Sequence, residues 1–472
     1  WAAPSVERWR PPRGLSRLVV DGAVIAIAGV PVAIVAAGAV GRATAAPTPG
    51  TPCPAVRDDG QPVKTKTFDV VAINVDIPLN HFGDHDPFGR MYALRSEVPA
   101  IREQERTQHV SPGLRDDPIQ PLTLHANVGD CVEVHFTNEF KGSERASMAF
   151  EGVSRAVESA GSAVGNNPDS TLAPGESTTY RFYIEDDTEP CQGHEQDNCS
   201  QNEGAHYFHS FGTDFRDQTF HGLFGSIVAE PKDSQTRDPR TGEPTEHGWD
   251  VMIDTNGHGK DFRDFAIYYH EVGDETFRPF NKDGQELPLV DPFTDAYRPD
   301  GRAMNYRSES FFRRILAQKA AGKQAKAGSI FSSYANGDPS TPILANYLGD
   351  PIKMRIIHGG GEVIHSHHLH GGGDRWPFQT NTNPSQFGIG LQKTPILRQG
   401  RTSILLDVQL IGPGDSFTTS FECGGGGCQQ SPGDFLFHCH VNEHYEAGMW
   451  SFLRTFNTLQ PDLKELPDQE AQ

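Results

Sequence analysis

Positive charge is scarce in this sequence: 41 Lys and Arg stand against 62 Asp and Glu, a formal net charge of −21. That balance argues against a nucleic-acid or anionic-membrane binder and raises the local concentration of cations. Sulfur is scarce too, with 7 Cys and 6 Met in 472 residues, and an odd cysteine count leaves one thiol unpaired. A helical protein is disfavoured by 49 Gly and 35 Pro, and by long stretches that alternate apolar and polar residues between turn-forming clusters. The length suits two separate cores, so tandem β-sandwiches are expected.

At the start of the chain Arg8, Arg10, Arg13 and Arg17 precede a largely apolar run from Gly22 to Val40, followed by Ala43-Thr44-Ala45-Ala46. Residues 1–46 read as a secretory signal peptide, which places the protein outside the cytoplasm. A retained membrane anchor is the alternative, since the run is just long enough to span, but Pro31 and the small residues favour cleavage. Cysteine usage fits export. Cys191 with Cys199 and Cys423 with Cys428 are local pairs, Cys53 with Cys131 remains by elimination, and Cys439 is the odd one out.

A degenerate repeat emerges when Gly129-Asp130 is laid on Gly349-Asp350. Leu124, Val132, Val134 and Phe136 then fall on Leu344, Ile352, Met354 and Ile356, the alternating face of a strand. Met148 to Gly152 falls on His367 to Gly371, Pro174-Gly175-Glu176-Ser177 on Pro413-Gly414-Asp415-Ser416, and His209-Ser210-Phe211 on His438-Cys439-His440. Gly222-Leu223 matches Gly448-Met449. The expected organisation is a first β-domain over 63–231, a polar linker over 232–260, a second β-domain over 261–459 and a tail over 460–472. Ser308 to Ser329 reads as the one helix-like insertion, a solvated surface helix or loop.

The chemistry concentrates in the second domain, where His365, His368 and His370 stand at i, i+3 and i+5 and Phe437-His438-Cys439-His440 is followed by His444 and Met449. On a strand, His438 and His440 face one way and Cys439 the other, so two metal sites can share one strand. His365, Cys439, His444 and Met449 form a thiolate, two imidazoles and a thioether, the donor set of a blue-copper centre. Chance assembly of such a pattern is roughly 10⁻⁵ per chain, and a zinc site is the weaker rival because Met is a poor zinc ligand. His125, His135, His194, His258 and His358 lack ligand spacing and read as ordinary polar residues. Asp374, Glu443 and Glu446 flank the ligands and are placed to steer a cation.

These motifs, HxxHxH and HCHxxxHxxxxM, resemble those of the multicopper oxidases, and the two-domain length is similar to small laccase-like members. The stretches Ala72 to Asp76 and Gly83 to Pro87 look, more loosely, like the bacterial branch related to manganese oxidases and ceruloplasmin-like proteins. The resemblance implies two cupredoxin-like Greek-key domains, with type 1 copper in the second. It implies that electrons from a small reductant, a metal ion such as Mn(II), Fe(II) or Cu(I) or a phenol, pass along Cys439 to His438 and His440. There a copper cluster, with His368 and His370 as further ligands, reduces dioxygen to water. It also implies a homotrimer.

The first domain departs from that pattern. Ala149 and Glu151 stand where the family has one His-x-His pair, and Phe211 replaces the second histidine of the other, leaving His209. By the family's assignment the type 2 ion keeps His368, one type 3 ion keeps His370 and His438, and the other keeps His209 and His440, with Glu151 as an oxygen donor. His206 and His221 lie near His209 in sequence but read as surface or supporting histidines. The alternative is a type 1 copper electron-transfer or copper-binding protein with an inactive cluster. A copper nitrite reductase is disfavoured, because Ser210 and Leu223 replace the cysteine and methionine which that family carries in its first domain.

Overall fold

A turn built from Gly-Asp is used twice and shows how the sequence sets the architecture. Gly129 and Gly349 adopt φ of +87° and +80°, a region open to glycine without a Cβ penalty. In each turn the following aspartate folds back, Asp130 Oδ2 accepting from Asn127 N at 3.0 Å and Asp350 Oδ2 from Tyr347 N at 2.8 Å. A second pair of turns follows the same rule, with Glu176 accepting from Ala173 N and Asp415 from Gly412 N, both at 2.8 Å. Each turn launches a strand, Cys131–Asn138, Ile352–His358, Ser177–Tyr183 and Ser416–Ser420.

The computed structural model describes residues 52–186, 188–190, 198–200, 202–324, 327–371, 376–379, 405–421 and 423–470. The expected signal segment, Cys191 of the expected Cys191–Cys199 pair, His194 and Asp374 lie outside the described residues. The fold is all-β, two Greek-key sandwiches in tandem. In the first, Thr65–Asn74 runs parallel to Cys131–Asn138, which pairs antiparallel with Ser177–Tyr183. Facing them, Leu122–Asn127 runs parallel to Phe224–Glu230, followed by Gly204–His209 and Ala149–Phe150. The second sandwich repeats this with Phe262–Glu271, Ile352–His358 and Ser416–Ser420 in one sheet. Its other sheet holds Leu344–Tyr347, Trp450–Phe456, Gly433–Cys439 and His365–Leu369. Register matches the sequence repeat: His209 lies opposite Ala149 as His438 lies opposite His368, and Val134 opposite Tyr180 as Met354 lies opposite Thr419.

Two cores result. One fills the first sandwich around Val132, Val134, Phe136, Phe182 and Phe208. The other runs from Val71, Ile73 and Tyr207 of the first sandwich to Met354, Leu369, Phe437 and Met449 of the second. At about 1.5–3 kcal/mol per fully buried side chain, that shared core binds the halves into one body. Disulfides join Cys53 to Cys131 and Cys423 to Cys428, and Cys439 is the free, buried cysteine among the described residues.

The solvated-helix expectation for Ser308 to Ser329 is corrected. The helix spans Phe311–Ala320 and buries Phe312, Arg314, Ile315 and Gln318. Arg314 ion-pairs with Glu309 at 2.6 Å, both side chains fully buried, and its guanidinium lies 4.5 Å above the Trp450 ring. Buried charge is invisible in a pattern read for apolar spacing. Nor is it the one helix, since Val98–Thr107 forms another of similar length. No helix among the described residues is long and apolar enough to cross a membrane.

Candidate metal centre

Cys439 ends the strand Gly433–Cys439, His365 begins the neighbouring strand, and the short helix Asn442–Glu446 turns the chain back so that His444 returns to Cys439. Backbone bonds lock the return: Met449 N donates to His444 O at 3.0 Å and Cys439 N to Met449 O at 3.1 Å. Gly448, at φ +127°, makes the close approach, since a Cβ there would lie 2.0 Å from Ser308 Oγ. Ser308 Oγ and Asp300 N in turn donate to Ala447 O at 3.1 and 2.8 Å. The insertion that precedes the buried helix therefore braces the ligand loop.

Three donor atoms converge there. His365 Nδ1 and His444 Nδ1 lie 3.2 Å apart, and the Cys439 Sγ is 3.4 Å from the latter and 3.9 Å from the former. An ion bonded at about 2.0 Å to nitrogen and about 2.3 Å to sulfur spaces its donors about 3.3–3.8 Å apart, so the triangle fits a single metal ion. His365, Cys439 and Met449 are fully buried. The sulfur already accepts the Ser366 N–H at 3.3 Å, an orientation suited to a thiolate. Burial holds His444 down to about 3 and His365 well below its usual range, which keeps both imidazoles neutral and able to ligate. Burial pushes the Cys439 thiol up to about 11, so a metal must displace its proton.

On the opposite face of the same strand His438 Nε2 lies 3.1 Å from His370 Nε2. His368, His370 and His438 form a second group with donor atoms within 4.8 Å of one another, and the His440 ring stands 5.1 and 5.4 Å from those of His368 and His438. Burial brings His438 down to about 4. Alternation thus places the histidines and the cysteine on separate faces, as expected from the strand.

The first sandwich reproduces half of this geometry. His209 Nδ1 lies 3.1 Å from Ser210 O, as His438 Nδ1 lies 2.8 Å from Cys439 O. Its Nε2 is 3.5 Å from Glu151 Oε1, so the carboxylate occupies the place of His370. The hydrogen bond from His209 holds the Glu151 carboxyl below its usual range. Phe211, 39% exposed, takes the position of His440. Among the described residues His209, Glu151 and His440 join neither of the two donor groups. His206 is tied to Asn202 O at 2.9 Å and His221 to Asp86 at 2.7 Å, so neither stands in for a missing ligand.

The histidines without ligand spacing are held by partners of their own. His125 Nδ1 meets the buried Glu230 at 2.9 Å, and His367 Nδ1 meets the Tyr269 hydroxyl at 2.7 Å. His358, fully buried, stacks on the His365 ring at 4.8 Å. Glu443 is exposed beside His444, and burial raises the Glu446 carboxyl, with Asp291 and Glu443 adding repulsion. Glu271, unmarked by any spacing, belongs to a donor group with His358 and His365.

Fold and donor set together define a tandem β-sandwich protein with a two-imidazole, one-thiol site of the kind that suits copper. No family model and no curated protein matches the chain. It is similar to a solved multicopper oxidase at 18% identity and a TM-score of 0.45, over 85% of this chain and 92% of that one. A copper nitrite reductase from Nitrosomonas europaea gives 14% and 0.49, over 85% and 98%. A blue copper oxidase from the same organism gives 16% and 0.44, over 86% and 92%.

Proposed function

We propose that this chain is an extracytoplasmic copper oxidoreductase, with His365, Cys439, His444 and Met449 holding type 1 copper. The donor triangle around Cys439 carries the reading, because a buried thiol facing two neutral imidazoles has little other use. When bound, copper supplies one-electron redox chemistry and, in a cluster, the reduction of dioxygen to water. The residues supply the wiring: Cys439 is covalently continuous with His438 and His440, so an electron taken up on one face of the strand would have only a few bonds to cross to the other. Glu443 and Glu446 lie beside His444 and favour a cationic reductant such as Mn(II), Fe(II) or Cu(I); a phenol is the other class.

His368, His370, His438 and His440 supply the second domain's part of an oxygen-reducing cluster. His209 and Glu151 supply what the first retains, and by resemblance to the two-domain oxidases they meet the histidines of a neighbouring copy in a homotrimer. A second reading, an electron carrier with an inactive cluster, is favoured by Ala149 and Phe211, which remove donors from an otherwise conserved geometry. Metal analysis with an EPR spectrum separates the two. Type 1 signals alone, without oxygen consumption, sink the oxidase; a full copper complement with rapid oxygen uptake sinks the carrier.

A further inference from the structure

Glu271 ends the strand Phe262–Glu271 and is 1% exposed. Its Oε1 accepts the Val363 N–H at 2.8 Å and its Oε2 the Gly361 N–H at 3.3 Å. The same Oε1 lies 3.8 Å from His365 Nε2, a buried nitrogen with no hydrogen-bond partner. The other nitrogen of that ring faces Cys439 and His444. The backbone makes room for the carboxylate, since a Cβ on Gly360 would lie 1.6 Å from Glu271 Oε2. His358 closes the other side, stacked on His365 and anchored through Nε2 to Val363 O at 2.7 Å. A buried carboxylate is costly to desolvate, so its placement behind a ligand imidazole needs a reason.

We propose that Glu271 is a positioning residue for the type 1 site, accepting the Nε2–H of His365 and setting the reduction potential of the metal bound on the far side of the ring. The separation exceeds a hydrogen bond by about half an ångström, which a small torsion of the glutamate closes. The bond holds His365 in the tautomer that leaves Nδ1 free for the metal. The carboxylate also brings a negative charge within one imidazole of the ion, favouring the more positive Cu(II) state. Arg302, the cross-strand partner of Glu271, carries the opposing charge, so the strand pair sets the field from both directions.

This inference rests on the type 1 assignment, and its test separates the two. In the copper-loaded full chain, Glu271→Gln keeps an oxygen for Val363 N but removes the charge. Spectroelectrochemical titration of the thiolate absorption should show the Cu(I)/Cu(II) ratio at fixed potential rising at least tenfold, about 59 mV for a one-electron couple. A coloured variant with less than a twofold shift overturns the role of Glu271, whereas a colourless wild-type protein overturns the type 1 assignment instead. Should the variant fail to fold, the wild-type Cu(I) protein with ¹⁵N-labelled histidine decides. His365 should show an Nε2-bound proton protected from exchange, and an Nδ1-bound or freely exchanging proton refutes the proposal.

Discussion

Replacing Arg355 by methionine tests how the two sandwiches are held together. The Arg355 Nε meets Asp264 at 2.6 Å, and its Nη2 lies 3.3 Å from Glu230 and 3.4 Å from Glu203, while Nη1 donates to Thr418 Oγ1 at 2.9 Å. Glu230 and Glu203 belong to the first sandwich, Asp264 and Arg355 to the second. The Asp264 and Glu230 side chains are fully buried and that of Arg355 is 1% exposed. Methionine fills similar volume but leaves the buried Asp264 carboxylate without its cation and Glu230 with His125 alone, which costs about 3–5 kcal/mol, a large part of the 5–15 kcal/mol that ordinarily separates folded from unfolded states. Equilibrium urea unfolding at pH 8, with the disulfides intact, should show that loss. At pH 5 it should shrink, because the stranded carboxylates then take up protons. The variant should keep the copper binding and colour proposed for the wild type, since Arg355 touches none of the four proposed ligands. A loss below about 1 kcal/mol at pH 8, the value of a surface pair, refutes the reasoning.

Cys439→Ser replaces the soft thiolate, and the copper-loaded variant should lack the intense visible absorption of the wild type; a coloured variant would remove Cys439 from the site. Gly448→Ala forces a Cβ to within 2.0 Å of Ser308 Oγ and 2.8 Å of Glu309 N. It should loosen the loop and lower copper affinity at least tenfold by competition with a chelator, and an unchanged affinity would show the brace to be dispensable. Burial raises the Asp250 carboxyl to about 7, and its Oδ1 is buried without a hydrogen-bond partner. With an unfolded value near 3.9, its contribution is fully present below about pH 4 and lost as pH rises through 7, up to about 4 kcal/mol. Asp250→Asn should flatten that decline and be more stable than the wild type at pH 8; an unchanged slope of urea midpoint against pH excludes it.

Much of the candidate site was legible because strand alternation and short loops tie position to direction. His438, Cys439 and His440 could only divide between two faces, and His444 and Met449 lie close enough in sequence to return by one turn. The repeat was legible for the same reason: Gly-Asp and Pro-Gly turns reset the register at equivalent places, so Glu151 and Phe211 stand in the sequence opposite His370 and His440. Buried polar groups were not legible. Arg314, Arg355 and Glu271 look like surface residues in a sequence, because nothing local records the partners that satisfy them.

The sequence by itself therefore determined the all-β repeat, the free Cys439 and the donor set around it, since each rests on spacing of a few residues along one strand or turn. Only the tertiary structure decided that the two halves share a core, that the insertion from Asp300 to Ala320 braces the ligand loop, and that Glu271 stands behind His365. Those relations join residues tens to hundreds of positions apart, and their energy comes from excluding water between surfaces that meet only once the chain has folded.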